Sequence, residues 1–194
     1  MLTEDGKRKK ADLEAKVQER MTRGKNEQRA LLSELLAVGV KVDMVNLLPM
    51  IPTKEYTAAI PILARHLHTQ YSEATLESIA RALATQEAKD YWDDLRALYV
   101  HERNRMAQDG GDFEMGLAAA VAASCPPNRL GELIELIRNQ ELPHRVLLLN
   151  PLRRRRGKDA KIAELLDELR RDPALAREIN SWKILPAQSV ARTH

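Results

Sequence analysis

The sequence holds a single cysteine, Cys125, among 194 residues. One cysteine excludes an internal disulfide, so packing must supply the stability, and the chain fits a reducing cytoplasm. Set among alanines, Cys125 reads as a small packed hydrophobe rather than a nucleophile. Aromatic side chains are equally scarce: one Phe, two Trp and four Tyr, or 4% of the chain. That poverty argues against sheet, which favours aromatic and β-branched residues, and leaves little on which a nucleic-acid base can stack. Long apolar runs are missing as well. The longest, GLAAAVAASC at 116–125, is about half of what a bilayer span requires, so no membrane is expected as a partner. The opening MLTEDGKRKK mixes charges with no apolar stretch behind it, unlike a secretory signal. Motifs that announce chemistry are absent too: no glycine-rich phosphate loop, no His-Glu-x-x-His pair and no Cys-x-x-Cys. No catalytic residue, cofactor or metal site is therefore expected.

What the chain has in quantity is Ala, Leu, Glu and Arg, all good helix formers. No alternating apolar and polar run is bounded by hairpin dipeptides, and an all-α domain follows. The formal charge of +3 hides a polarity along the chain. Residues 1–30 carry a net +3, residues 31–142 a net −6 and residues 143–194 a net +6. A middle this acidic between two basic ends bears on which partners the molecule attracts.

Punctuation divides the chain into short amphipathic pieces. Residues 3–37 predict helix, capped by Thr3 and broken near Gly24, with a thin stripe of Leu13, Val17 and Met21. A fuller face follows at Leu31, Leu32, Leu35 and Leu36, ended by Gly39. Asp43 is placed to cap a short helix over MVNLLPM, and Thr53 a longer one that carries Pro61, a kink or a later helix start. Ser72 opens the next helix, with Leu76, Ile79, Ala80 and Leu83 on its buried face. A helix over about 87–103 carries Tyr91, Trp92, Leu95 and Tyr99, and a polar loop spans Asn104 to Gly111. Asp112 caps the Ala-rich helix that Pro126-Pro127 stops, its small residues allowing close backbone approach. Four pieces follow between Asn128 and Trp182, each too small to fold alone. They carry Leu130 to Ile137, Val146 to Leu152, Ile162 to Leu169, and a last helix begun by Asp172-Pro173. This gives a charged N-terminal helix over 1–30, a helical body over 31–184 and a flexible tail over 185–194.

The segments AIPILARHL (59–67), YWDDLRALY (91–99), LGELIELIR (130–138) and KIAELLDEL (161–169) align with one another at spacings of 32, 38 and 32 residues. Such spacing fits helical-hairpin repeats with loops of unequal length. On these residues, from Thr53 to Trp182, the chain resembles the HEAT-repeat family, and LLSELLAVGVKVDMVNLL (31–48) is similar to the leading part of small bacterial HEAT-like proteins. The resemblance implies a right-handed α-solenoid of about four helical hairpins with an N-terminal helical extension, whose inner helices line a concave face. Pro151 departs from the pattern, because its ring opposes the carbonyl of Leu147 and predicts a kink or an early helix end.

The sharpest surface feature is the run Arg153, Arg154, Arg155, Arg156, Gly157 and Lys158. A helix C-terminus welcomes one or two cations through its dipole, but four adjacent arginines exceed that. Arginine forks suit carboxylates and phosphates, and in the HEAT-like reading Arg145 and Arg81 share the inner face. His66 and His68, two apart on a helix, diverge and cannot hold a metal from one face. The acidic group Glu87, Asp90, Asp93 and Asp94 has no partner base and reads as a solvated face. HEAT-like base-excision enzymes use a cleft with tryptophans; here Trp92 and Trp182 both fall in packing stripes, which argues against that activity. The expectation is a non-enzymatic protein–protein interaction module, an adaptor, inhibitor or neutralising partner, binding another protein through its concave inner-helix face. The alternative is sequence-independent nucleic-acid binding by the same arginines.

Overall fold

The computed structural model describes residues 3–102, 112–157 and 159–182. Among them every regular element is helical and none is a strand. The α-helices are α1 (Glu4–Glu27), α2 (Arg29–Ala37), α3 (Ile60–His66), α4 (Glu73–Ala82), α5 (Trp92–His101) and α6 (Phe113–Ser124). After them come α7 (Leu130–Arg138), α8 (Arg145–Leu148), α9 (Asn150–Arg155), α10 (Ala160–Leu169) and α11 (Pro173–Ser181). Short 3-10 turns fill Val45–Met50, Thr53–Glu55, Thr57–Ala59, Gln86–Tyr91 and Pro127–Arg129. The expected tail over 185–194 and the loop over 104–111 lie outside the described residues.

Several helix starts follow from a side-chain cap that takes an orphan N–H of the first turn. The Thr3 hydroxyl accepts from the Gly6 amide, Ser72 from Thr75, Asp112 from Met115 and Asp172 from Ala174. Gly39, at φ +84°, closes α2 in the left-handed conformation that glycine adopts without strain.

Four boundaries differ from expectation. The helix expected from about 87 begins at Trp92, after a 3-10 turn over Gln86–Tyr91. The three others have a local reason. The break after α1 falls at Gln28, while Gly24 stays helical because its missing Cβ admits the Met44 methyl. The Gln28 amide is buried and bridges outward: its Oε1 accepts from the Val45 amide at 3.0 Å and its Nε2 donates to Thr75 Oγ1 at 3.2 Å. That same contact satisfies the amide that Asp43 was placed to cap, and a 3-10 turn forms there instead. Downstream of Thr53 the chain makes two 3-10 turns, and α3 starts at Ile60 with Pro61 in its first turn. Proline lacks the N–H needed to continue a helix from upstream but is at home in a first turn. Pro151 acts likewise: α8 stops at Leu148 and α9 restarts at Asn150.

Packing follows two relations. Helices adjacent in sequence pair, α3 with α4, α5 with α6, α7 with α8 and α10 with α11. The Val45–Met50 turn, α4, α6, α8 and α11 also touch in succession. At the centre of this row α6 is enclosed by α4, α5, α8 and α9, with Phe113, Leu117, Ala118, Ala120 and Val121 buried. Gly116 marks the closest approach of α4, since a Cβ there would lie 2.9 Å from the Glu77 carbonyl oxygen and 3.0 Å from Ala80 Cβ. Buried polar side chains fasten one helix of a pair to the backbone of the other, which keeps those groups satisfied inside the core. Tyr56 Oη donates to the Ala82 carbonyl at 3.2 Å, and Trp92 Nε1 donates to Val121 at 3.0 Å. One apolar core runs from Leu31 to Trp182.

Candidate interaction surface

The arginines singled out in the sequence divide into three environments. Arg145 is 7% exposed and turned inward. Its Nη1 donates to the Ile137 carbonyl and to Asp172 Oδ2, both at 2.7 Å, and so joins the end of α7 to the cap of α11. The guanidinium beside Asp172 holds that carboxyl below the usual aspartate range. This residue is a structural clamp with no surface to offer a partner. The expected placement on an open face fails because a guanidinium can satisfy a helix-end carbonyl and a capping carboxylate together.

Arg81 stands exposed on α4, where its Nε donates to Glu77 Oε1 at 2.7 Å. The other Glu77 oxygen accepts from the Asp112 amide at 2.9 Å, so Arg81 belongs to the contact between α4 and the start of α6.

The run on α9 sits at the opposite end of α6, where Arg155 lies near enough to Cys125 for its charge to act on the thiol. Burial outweighs that charge and pushes Cys125 up to about 11, which leaves the thiol protonated and unreactive at neutral pH. From Gly116, beside Glu77, to Cys125 is roughly 14 Å along the helix at 1.5 Å per residue. The structure thus brings Arg153 to Arg156 together and keeps Arg81 apart from them.

Within the run the four side chains have different neighbours. Arg153 is exposed, lies over the Trp182 ring at 5.6 Å and reaches Glu178 only at 4.0 Å. Arg156 Nη1 donates back to the Arg153 carbonyl at 2.6 Å, a cap for the end of α9. Arg154 is exposed and makes no hydrogen bond or ion pair with another described residue. Lys158 lies outside the described residues. Along α6, Met115, Ala119 and Ala123 are half-buried, one per turn. The basic charge is concentrated on α9.

No protein-family model, curated protein or solved structure matches this chain. The site therefore rests on its own chemistry.

Other polar groups are held in structural links. His66 Nδ1 meets Tyr71 Oη at 2.8 Å and its Nε2 meets Glu34 Oε1 at 3.3 Å, tying α2, α3 and the start of α4. Burial and the nearby Glu27 and Glu34 raise the Tyr71 phenol, so it stays neutral. His68 pairs with Asp94 and Arg129 with Asp93, so the acidic face of α5 is met by side chains of neighbouring elements. Both tryptophans are buried, consistent with packing. A recess of about 270 Å³ among Leu67, His68, Leu98, Glu102 and Phe113 falls short of the roughly 300 Å³ at which ligand pockets begin. No helix among the described residues is long and apolar enough to cross a membrane.

Sequence reasoning missed two groupings. The Arg145–Asp172 clamp joins residues 27 apart, and its only sequence signal was an Asp-Pro helix start waiting for a counter-charge. The approach of His144 to Asp112 and Glu114 had no signal, because a turn after α7 brings the histidine back to α6.

Proposed function

We propose that this chain is a right-handed HEAT-like α-solenoid, cytoplasmic and non-enzymatic, that binds an acidic surface of another protein. In this reading α3/α4, α5/α6, α7/α8–α9 and α10/α11 are the hairpins, with α4, α6, α8 and α11 as the inner row. The observation that carries it is the α9 cluster. Arg153 and Arg154 are exposed there, Glu178 is the acidic group facing them, and even that lies 4.0 Å away. A protein surface leaves such charge concentrated where a partner supplies the counter-charge, and electrostatic complementarity then governs capture rate and choice of partner. Arg145 belongs to the scaffold of this face, and Arg81 lies at its far end.

The same cluster supports a second reading, sequence-independent nucleic-acid binding, since exposed arginines neutralise phosphates as well as carboxylates. One pair of variants separates the two. The double variant Arg153→Glu/Arg154→Glu should stay folded, with a melting temperature lowered only slightly by loss of the Arg153–Trp182 contact, and lose a stoichiometric partner captured from the native host. If the partner survives the reversal, the α9 face is not the docking surface. Titration with duplex DNA at two salt concentrations decides the second reading. Affinity that falls steeply with salt, and again on reversal, would favour phosphates; no binding at low salt would remove them.

A further inference from the structure

We propose that Asp112, Glu114 and His144 form a binding site for a first-row divalent cation that accepts both nitrogen and oxygen ligands, with Zn²⁺ as the representative ion. One ligand atom from each of the three side chains lies within 4.8 Å of the other two. They come from two elements: Asp112 and Glu114 open α6, and His144 precedes α8. His144 Nε2 and Asp112 Oδ2 are 3.1 Å apart. Two donors each about 2.1 Å from one ion, at tetrahedral to octahedral angles, stand about 3.0–3.4 Å apart, so this edge needs no rearrangement. The Glu114 carboxylate, on three side-chain torsions, forms the third side, within 4.8 Å of the other two ligand atoms.

The carboxylate of Asp112 divides its work. Oδ1 accepts from the Met115 amide at 2.9 Å and caps α6, while Oδ2 faces the imidazole. The Asp112 backbone is itself held by Glu77, whose carboxylate accepts its amide. On the other side, Tyr99 Oη donates to the Pro143 carbonyl and anchors the residue before His144. Burial raises the Tyr99 phenol, so it stays a neutral donor there. Both donor segments are thus fixed from outside the site by groups that do not touch the ion, as supporting shells of metal ligands are. His144 and Asp112 are about one-third exposed, which leaves a path from solvent and room for water in the remaining coordination positions.

One imidazole with two carboxylates selects the class of ion. Mg²⁺ and Ca²⁺ prefer oxygen ligands throughout, whereas Zn²⁺, Fe²⁺ and Mn²⁺ accept this mixed set. Three protein ligands with open positions leave the coordination sphere incomplete, unlike a closed four-ligand structural centre. An ion here would clip the connection between α7 and α8 to the start of α6, the helix at the middle of the packed row. It binds the native state and not the unfolded chain, and so stabilises by mass action.

The test uses the full chain, stripped with chelator and titrated calorimetrically with Zn²⁺ alone. The expected result is one ion per chain, bound more tightly than about 10 µM, with a melting temperature that rises as Zn²⁺ is added. Glu114→Gln and His144→Gln should each weaken binding about ten-fold or more, while His68→Gln, at an imidazole paired with Asp94 elsewhere, should leave it unchanged. A second measurement needs no variant to fold. Paramagnetic Co²⁺ added to the native chain should displace the ring resonance of one of its five histidines, and that one should be His144. No saturable binding up to about 100 µM Zn²⁺, binding equal in wild type and both variants, or a Co²⁺ effect on a histidine other than His144 would overturn the proposal.

Discussion

Gly116 is where α4 and α6 come closest, and there the residue decides the geometry of the element. Alanine is the better helix former by about 1 kcal/mol, which by itself predicts a gain. Its Cβ would meet the Glu77 carbonyl oxygen at 2.9 Å, a backbone atom that cannot rotate away. Overpacking of this kind costs about 1–3 kcal/mol, and against a backbone atom the upper part of that range applies, so Gly116→Ala should be destabilising on balance, by up to about 2 kcal/mol. A thermal melt checks it: the midpoint should fall by several degrees, and an unchanged or higher midpoint would mean that the helices separate freely. Asp172 makes a pH-dependent counterpart. Its carboxyl is held below the ordinary aspartate value, first by the hydrogen bond from Arg145. The clamp therefore contributes stability fully present above that ordinary value, near pH 4, and lost as the pH falls through the lower folded value. Melting temperatures of wild type and Asp172→Asn should differ by a constant amount above about pH 5 and converge below pH 4. A gap that widens in acid would contradict the sign.

Helix α1 is the element least bound to the rest. Its apolar stripe is exposed, at 63% for Leu13, 49% for Val17 and 44% for Met21. Its last turn engages the body. The Glu27 carboxylate accepts from the Ser72 amide and hydroxyl and from the Thr75 hydroxyl at 2.7 Å, and so caps α4 from a distance of 45 residues. Negative charge at a helix N-terminus is favoured by the dipole as well. Removing residues 1–25 should therefore leave the melting temperature within about 4 °C of the full chain, roughly 1 kcal/mol or less. A larger drop, read by circular dichroism, would show that the stripe packs on the body in solution. The sequence expected a weakly held helix from the thinness of the stripe. That its anchor would be Glu27 and Gln28 could not be read there, because both act on residues from 17 to 48 positions away.

Across the whole molecule, charge and packing are distributed differently. The core is continuous from Leu31 to Trp182, whereas the charge changes sign along the chain, with the last 52 residues carrying a net +6. Reversing Arg153 and Arg154 changes that end by four charges out of six and leaves the core untouched. The expected outcome is a loss of partner capture with the fold retained and a melting temperature only slightly lowered by loss of the Arg153–Trp182 contact, and for DNA a smaller salt dependence, since fewer counterions are released. Capture that survived the reversal would place the docking surface elsewhere than on the α9 face.

The amino-acid sequence by itself determined the helical class, the placement of most caps and prolines, and most of the side chains that enter the core, though Leu36, expected on the apolar face, is 60% exposed. These depend on periodicity and on first-turn chemistry, both of which act over a few residues. It also marked the α9 arginines, since four adjacent cations are visible in any arrangement. Tertiary structure alone decided what each cation does. Arg145 is consumed by a carbonyl and a carboxylate, Arg81 belongs to the α4–α6 contact, and Arg154 stays open. It also decided that His144 would return to Asp112 and Glu114, 30 residues back along the chain. Charges act through space, and the distances that govern them exist only once the chain has folded.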